Sequence, residues 1–343
     1  MSADEQANGL ELRRALVTGG AGFLGSAIVR QLLGQGVEVT VASRSAERAE
    51  LPAGVRAISL DLTDAAALES AAAGMDAIFH VAALAGVWGK REDFYGANVL
   101  GTRNVIAAAL ANGVPRLIHT SSPSVCFDGQ DHRNASNDLP LATTFLSVYP
   151  ETKAIAEREV LAANGSNGAN NTTLSTCAVR PHLILGPGDP HILPRLIERA
   201  RAGRLRIIGD GQNEVSLTDV ENAAHAHLCA AKSLSPDAAC AGRAYFVGQA
   251  EPVKIWSWVA DLFTELGVPA PTKKISQRAA YSIGVLCESL WRILPLAGEP
   301  PMTRFVAMQM STSHSYSLEP IQRDLGYVEQ VTLRELTARL RNA

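Results

Sequence analysis

The string Gly19-Gly20-Ala21-Gly22-Phe23-Leu24-Gly25 follows the apolar run Ala15-Leu16-Val17 and opens a helical pattern over 22–33. No other segment limits the fold so strongly. A strand that runs through glycines straight into a helix calls for a parallel strand–helix–strand layout. The backbone amides at the helix start then face whatever lies beyond the strand end. Gly19 permits the tight turn, Gly22 the close approach of a pyrophosphate, and Gly25 close packing of helix on strand.

The alternation continues through the first half. β-rich runs at 37–41, 55–60, 77–81, 117–120 and 174–179 enclose helical patterns at 64–73, 97–111 and 148–162. Apolar strands separated by helices predict an α/β fold, a doubly wound parallel sheet of Rossmann type. Residues 13–181 are assigned to this domain, with 212–250 returning to it. Pro181, Pro187, Pro190 and Pro194 break the chain beyond Arg180, so 182–211 and 251–343 are assigned mainly to a smaller C-terminal substrate lobe. Residues 1–12 are polar, include Asp4 and Glu5, and read as a loose tail rather than a signal peptide. The Asn/Gly/Ser-rich segment 164–171 reads as a flexible surface connection with no packing potential.

Charge and cysteine usage narrow the partners. A net charge of −3 without any Lys/Arg run argues against nucleic acid. Cys126, Cys177, Cys229, Cys240 and Cys287 are odd in number and lack metal-ligand spacing. Free thiols in a reducing compartment follow, with the cytoplasm expected and no metal. Residues 279–296 are mostly apolar but contain Glu288 and Arg292 and close at Pro295. That is too short and too charged to span a bilayer. The first expectation is a helix covering the substrate pocket, its Ile283, Leu286, Leu290, Trp291, Ile293 and Leu294 implying a lipophilic substrate. The second is a peripheral contact with lipid or a multi-enzyme assembly.

At the end of the second strand, Ser43-Arg44-Ser45 stands where an acid would bind ribose hydroxyls. A hydroxyl followed by a guanidinium suits a 2′-phosphate, which predicts NADP(H) in preference to a possible NAD(H). The amides of Phe23, Leu24 and Gly25 are expected at the pyrophosphate, Asp61 and Leu62 at the adenine edge, and Ala82 and Ala83 against the ribose–pyrophosphate.

Tyr149 and Lys153 are four residues apart and share one helix face. Pro150 is tolerable only near a helix start, which puts the tyrosine in the first turn. A phenol of pKa about 10 carries protons poorly at neutral pH. A neighbouring ammonium is expected to make it more acidic. Ser122, just past a predicted strand and 27 residues before Tyr149, is the candidate to hold a substrate oxygen, with Ser121 and Ser124 as competitors.

These strings together resemble the extended short-chain dehydrogenase/reductase superfamily. The matches are the glycine turn, Asp61-Leu62, His80-Val81-Ala82-Ala83, Asn98-Val99-Leu100-Gly101-Thr102, the serine string, Tyr149/Lys153, Arg180-Pro181 and Gly186-Pro187-Gly188-Asp189. The resemblance implies that Ser122, Tyr149 and Lys153 are catalytic and that Lys153 also binds the nicotinamide ribose. It further implies that Asn98 supports the active-site helix and a proton relay, that Pro181 lies at the nucleotide, and that the protein is a homodimer. Within the superfamily the chain resembles the 3β-hydroxysteroid dehydrogenase group, and in it the bacterial reductases of 2-alkyl-3-oxo acids. Residues 82–89, 150–158, 194–211 and 298–305 carry that likeness. It implies NADPH-dependent reduction of a 3-keto group in a small lipophilic substrate, or the matching oxidation.

His225 and His227 are two apart on a helix and cannot share a face, so they read as structural rather than metal-binding. Asp219-Val220-Glu221-Asn222 reads as a packed helix start, and Trp88, Trp256, Trp258 and Trp291 as core or pocket wall. A nucleotide-sugar epimerase shares the first half of the pattern. Pro123-Ser124 after the catalytic serine argues against a dehydratase, and the retained Tyr149 and Lys153 argue against a non-catalytic redox sensor.

Overall fold

Strand β1 (Arg14–Thr18) starts with one exposed arginine and continues through four buried residues, as expected for a strand covered on both faces. In the computed structural model, which describes residues 12–294 and 296–342, β1 lies near the middle of a seven-stranded sheet. The expected tail (Leu12 apart) and Pro295 fall outside the described residues. The other strands are β2 (Glu38–Ser43), β3 (Arg56–Ser59), β4 (Ala77–His80), β5 (Arg116–Thr120), β6 (Ser175–Pro181) and β7 (Arg243–Val247). Their order is β7-β6-β5-β4-β1-β2-β3, and every pair is parallel.

Helices fill both faces. Helices α1 (Phe23–Gly34), α2 (Ala65–Ala72), α3 (Gly101–Asn112), α4 (Val148–Ala162) and α5 (Val220–Ser233) flank the sheet, and α6 (Gln277–Ile293) belongs to the C-terminal part. Adjacent strand residues point to opposite faces. Val17, Phe79 and Val179 join α1 and α5 in one core, while Leu16, Ile78 and Leu117 join α2 and α3 in the other. Full burial of such a side chain contributes roughly 1.5–3 kcal/mol.

After β3 the chain crosses back to β4 on the other side of β1. The strand order therefore reverses between β1 and β4, which opens a crevice at their C-terminal ends. A separate core forms around Trp256, Val259, Phe263 and Leu336. A second, mixed sheet pairs His132–Ala135, Glu214–Val215, Val253–Lys254 and His314–Tyr316.

The segment 164–171 departs from expectation, because it is packed. Gly165 N donates to Leu174 O (2.8 Å), Leu174 N to Ser166 O (2.9 Å), and Thr176 N to Asn164 Oδ1 (2.9 Å). A Cβ on Gly113, at the end of α3, would come within 2.5 Å of the Ala169 carbonyl. The asparagines supply left-handed backbone at 170 and 171, which makes a tight turn from a sequence that otherwise reads as a linker.

Candidate active site

The first turn of α1 lies at the mouth of the crevice. Its N-cap is Gly22, which offers no side chain to the helix amides. Those amides can therefore face an anion. Gly19 has φ +70°, and a Cβ on it would lie 2.8 Å from Ala82 N and Cα, so β1 and the segment after β4 meet here in backbone contact. A Cβ on Gly25 would lie 2.1 Å from Gly19 O; helix α1 is thus seated on the turn itself more than on the strand. A cavity of about 430 Å³ adjoins this turn, lined by Gly22, Phe23, Gly188, Val220, Arg30 and Arg339 among others. Leu24 differs from its neighbours, because its side chain is in the core and only its backbone is available.

Farther along the same edge, Ser43 closes β2 with its hydroxyl buried and without a hydrogen-bond partner. Arg44 beside it is exposed. Asp61 accepts from Thr63 N and Oγ1, and these bonds hold its carboxyl below the ordinary carboxylate range, with the charge of Arg44 adding to them. Leu62 packs on Gly101 and its carbonyl accepts from Asn104. Ala82 N donates to Thr18 Oγ1, Ala83 follows it, and Pro181 ends β6.

Helix α4 begins at Val148, so Tyr149 and Pro150 sit in its first turn. Ser147 fixes this start by donating to Val87 O. Ser122 follows β5 and caps the short turn Pro123–Cys126, where its Oγ lies 2.9 Å from Ser124 Oγ. Of the three serines, Ser122 is the one near enough to lower the Tyr149 pKa. Ser124 bonds Ser122, and the Ser121 hydroxyl is buried without a partner.

The expected acidification of the phenol by lysine is not what the structure shows. Burial raises the Tyr149 pKa, and the hydrogen bond from Ser122 opposes the rise. Lys153 is itself buried, and its ammonium points at the sheet, donating to Thr120 O (2.6 Å) and lying 3.2 Å from His119 Nε2. Burial pushes it down to about 7, opposed by Glu157 one turn on. Lysine in this position is a weakened charge turned toward a carbonyl.

Asn98 sits in a π-helical turn, Gly96–Leu100. Its Oδ1 accepts from Leu84 N, and its Nδ2 donates to Leu84 O and to Thr152 Oγ1. It thereby ties the segment after β4 to α4, while its backbone carbonyl accepts from Thr102.

No role was assigned from the sequence to His80, His119 or Arg339. His80 bridges Thr18 Oγ1 (2.8 Å) and Thr102 Oγ1 (2.9 Å), and its ring lies 5.2 Å from that of His119. Both are buried and held well below the ordinary histidine range, first by burial and then by the charge of Lys153. Polar residues closing two otherwise apolar strands were the available signal. Arg339 pairs with Asp219, the N-cap of α5, and reaches the cavity from far along the chain, without any signal in sequence. His227 bonds Thr120 Oγ1 and Ala223 O, a structural role.

Helix α6 does not present its aliphatic residues inward. Its buried positions are Ala280, Gly284 and Glu288, whereas Ile283, Leu286, Leu290, Ile293 and the following Leu294 are exposed. Among the described residues no helix is long and apolar enough to cross a membrane.

The 3-beta hydroxysteroid dehydrogenase/isomerase family matches residues 16–276. The chain is 47% identical to 2-alkyl-3-oxoalkanoate reductase of Stenotrophomonas maltophilia, over 96% of this chain and 98% of the relative. It is 37% identical to the decarboxylating sterol-4-alpha-carboxylate 3-dehydrogenase of Mus musculus, over 95% and 90%. Among solved structures it resembles MoeE5 in complex with UDP-glucose and NAD, at 27% identity and a TM-score of 0.70, covering 96% of this chain and 97% of that one.

Proposed function

The chain belongs to the 3-beta hydroxysteroid dehydrogenase/isomerase family, and from that membership we propose that it reduces the 3-keto group of a bulky, lipophilic 3-oxo acid with NADPH. It is an oxidoreductase of the short-chain dehydrogenase/reductase type. A 2-alkyl-3-oxoalkanoate is the substrate class we assign, on the identity to the Stenotrophomonas reductase. The observation that carries the chemistry is that Tyr149 and Lys153 share the first turns of α4 at the C-terminal end of β5, where Lys153 Nζ donates to Thr120 O and Ser122 neighbours the phenol.

The residues present fit a dinucleotide. The uncapped start of α1 and the adjoining cavity suit its pyrophosphate, and the unpartnered Ser43 hydroxyl beside Arg44 suits a 2′-phosphate. Bound there, the nucleotide supplies the hydride that reaches the substrate carbonyl carbon. Ser122 donates a hydrogen bond to the carbonyl oxygen and holds it at the phenol. Tyr149 gives its proton to that oxygen, which becomes the hydroxyl of the product. A phenol kept protonated by burial is the form that reduction consumes. Lys153, on the same helix face, directs its ammonium to Thr120 O at the end of β5, so its charge stands at the base of the crevice and not on the phenol.

The test is NADPH consumption by the purified full chain with a 2-alkyl-3-oxoalkanoate, alongside a 3-ketosteroid and alongside NADH. Turnover with the oxo acid, faster with NADPH, is expected. Absence of turnover on both 3-oxo compounds, or interconversion of UDP-sugars without net nucleotide oxidation, overturns the reading.

A further inference from the structure

Among the described residues, four that are not glycine have positive φ: Asn134, Asn170, Asn171 and Leu183. Asparagine tolerates left-handed backbone, whereas leucine at φ +27° is strained there. Such strain persists only where the surroundings over-determine the backbone, and it gathers at sites of function. The holding contacts are in place at Leu183. His182 Nδ1 donates to Ser216 O (2.7 Å), Thr218 Oγ1 donates to His182 O, and Thr218 N donates to Leu183 O (3.2 Å).

The strained residue stands close to the reacting groups. Strands β5 and β6 pair Thr120 with Val179, and Ser121 N donates to Val179 O (2.7 Å). Ser122 and the chain that leaves β6 at Pro181 therefore emerge side by side from the sheet edge. His182 turns into the interior, its ring 4.9 Å from that of His314. Leu183 is only half-buried, although His182 before it is buried, and its apolar contacts are with the C-terminal core.

The C-terminal lobe reaches over the same place. Helix Ile192–Arg201 holds Leu193 and Leu196 half-buried on that core, together with Met302. Arg195 pairs with Glu299, and Arg199 Nη2 donates to Pro301 O (2.7 Å), which ties this helix to the segment 299–301. A Cβ placed on Gly86 would lie 3.9 Å from Glu299 Oε1, beside Val87, whose carbonyl fixes the start of α4. The lobe and the segment after β4 thus meet at the crevice, and Leu183 lies where the chain passes from the sheet into the lobe.

We infer that Leu183 determines specificity: the alkyl chain of the substrate packs against it, next to the reacting carbonyl. The left-handed backbone is kept because it turns an apolar side chain to that place. An aliphatic chain near the 3-keto carbon is thereby selected over a hydroxylated one. The inference rests on the substrate class proposed above and assigns its recognition to a residue.

The test is isothermal titration of the full chain, saturated with NADP+ so that no ketone is reduced, with 3-oxo acids bearing a long or a short 2-alkyl chain. Wild type is expected to bind the long-chain acid more tightly. Leu183→Asn suits the left-handed backbone, so the melting temperature should hold or rise. Its affinity for the long-chain acid should fall about tenfold, with the short-chain acid unchanged. Leu183→Ala, which shortens the side chain alone, should show the same selective loss and serves if the asparagine variant does not fold. Equal loss with both acids, or no loss with either, overturns the inference and leaves Leu183 a packing residue. So does a wild type without preference for the longer chain. NADPH consumption by wild type decides the reductase reading separately, because the titration involves no turnover.

Discussion

A half-buried phenol whose pKa is raised by desolvation holds its proton at neutral pH and so stands ready in the form that reduction consumes, and Tyr149 is such a group. Tyr149→Phe is expected to cut kcat about 10²–10⁴-fold, the range of general acid catalysis, while a fluorescence titration shows NADPH still bound. Lys153, with its pKa pushed down to about 7, sets the pH behaviour. Its charge is present below that value and lost as pH rises through it, so kcat/KM for reduction should fall above about pH 7. Lys153→Arg, which stays charged, should move that limb to higher pH. At the other end of the crevice, Arg44→Ala should cost about 1.5–3 kcal/mol of NADPH binding and little of NADH binding. A titration with both nucleotides checks this. Tyr149 and Lys153 were legible because helical spacing alone places them together. The orientation of the ammonium toward Thr120 and His119 was not, because it depends on β5 lying beneath α4 and not on neighbours in sequence.

At the level of elements, α4 is held to the sheet by a buried bidentate ion pair. Arg180 of β6 donates through Nε (2.8 Å) and Nη2 to Glu157, one turn beyond Lys153, and stacks over Phe246 of β7 at 5.0 Å. Removing one partner strands a buried charge. Glu157→Leu should therefore lower stability by about 3–5 kcal/mol, read in a urea titration, whereas Glu157→Leu with Arg180→Met should recover part of the loss. The alternation of six strands with helices was readable because short, continuous apolar runs differ in length and composition from the longer alanine-rich helical stretches between them. Strand β7 was read only as part of a segment returning to the domain, since five residues bracketed by glycines and polar turns carry a weak pattern. The π-helical turn at Gly96–Leu100 was read as ordinary helix. Its extra residue is dictated by Asn98 reaching both Leu84 and Thr152, which are tertiary partners.

Over the whole molecule, five histidines are buried in the neutral form. His80 is pushed down to about 3, His182 and His227 to about 4, and His119 and His314 well below the ordinary value, each first by burial. Unfolded histidine titrates near 6.5, so the unfolded chain binds more protons as pH falls below that value. Stability should be intact above about pH 6.5 and decline toward pH 4, each histidine contributing up to about 1.4 kcal/mol per pH unit. Urea midpoints measured across that range check the sign and the steepness. The sheet order has another outcome, for biosynthesis. Strand β6 is buried along its whole length, and its outer edge is closed only by β7. A chain emerging from the ribosome at roughly 5–20 residues per second therefore carries a bare apolar edge for several seconds, from Pro181 until Val247 has been made. That interval is when a nascent copy is open to pairing with another, and when a chaperone would have most to hold.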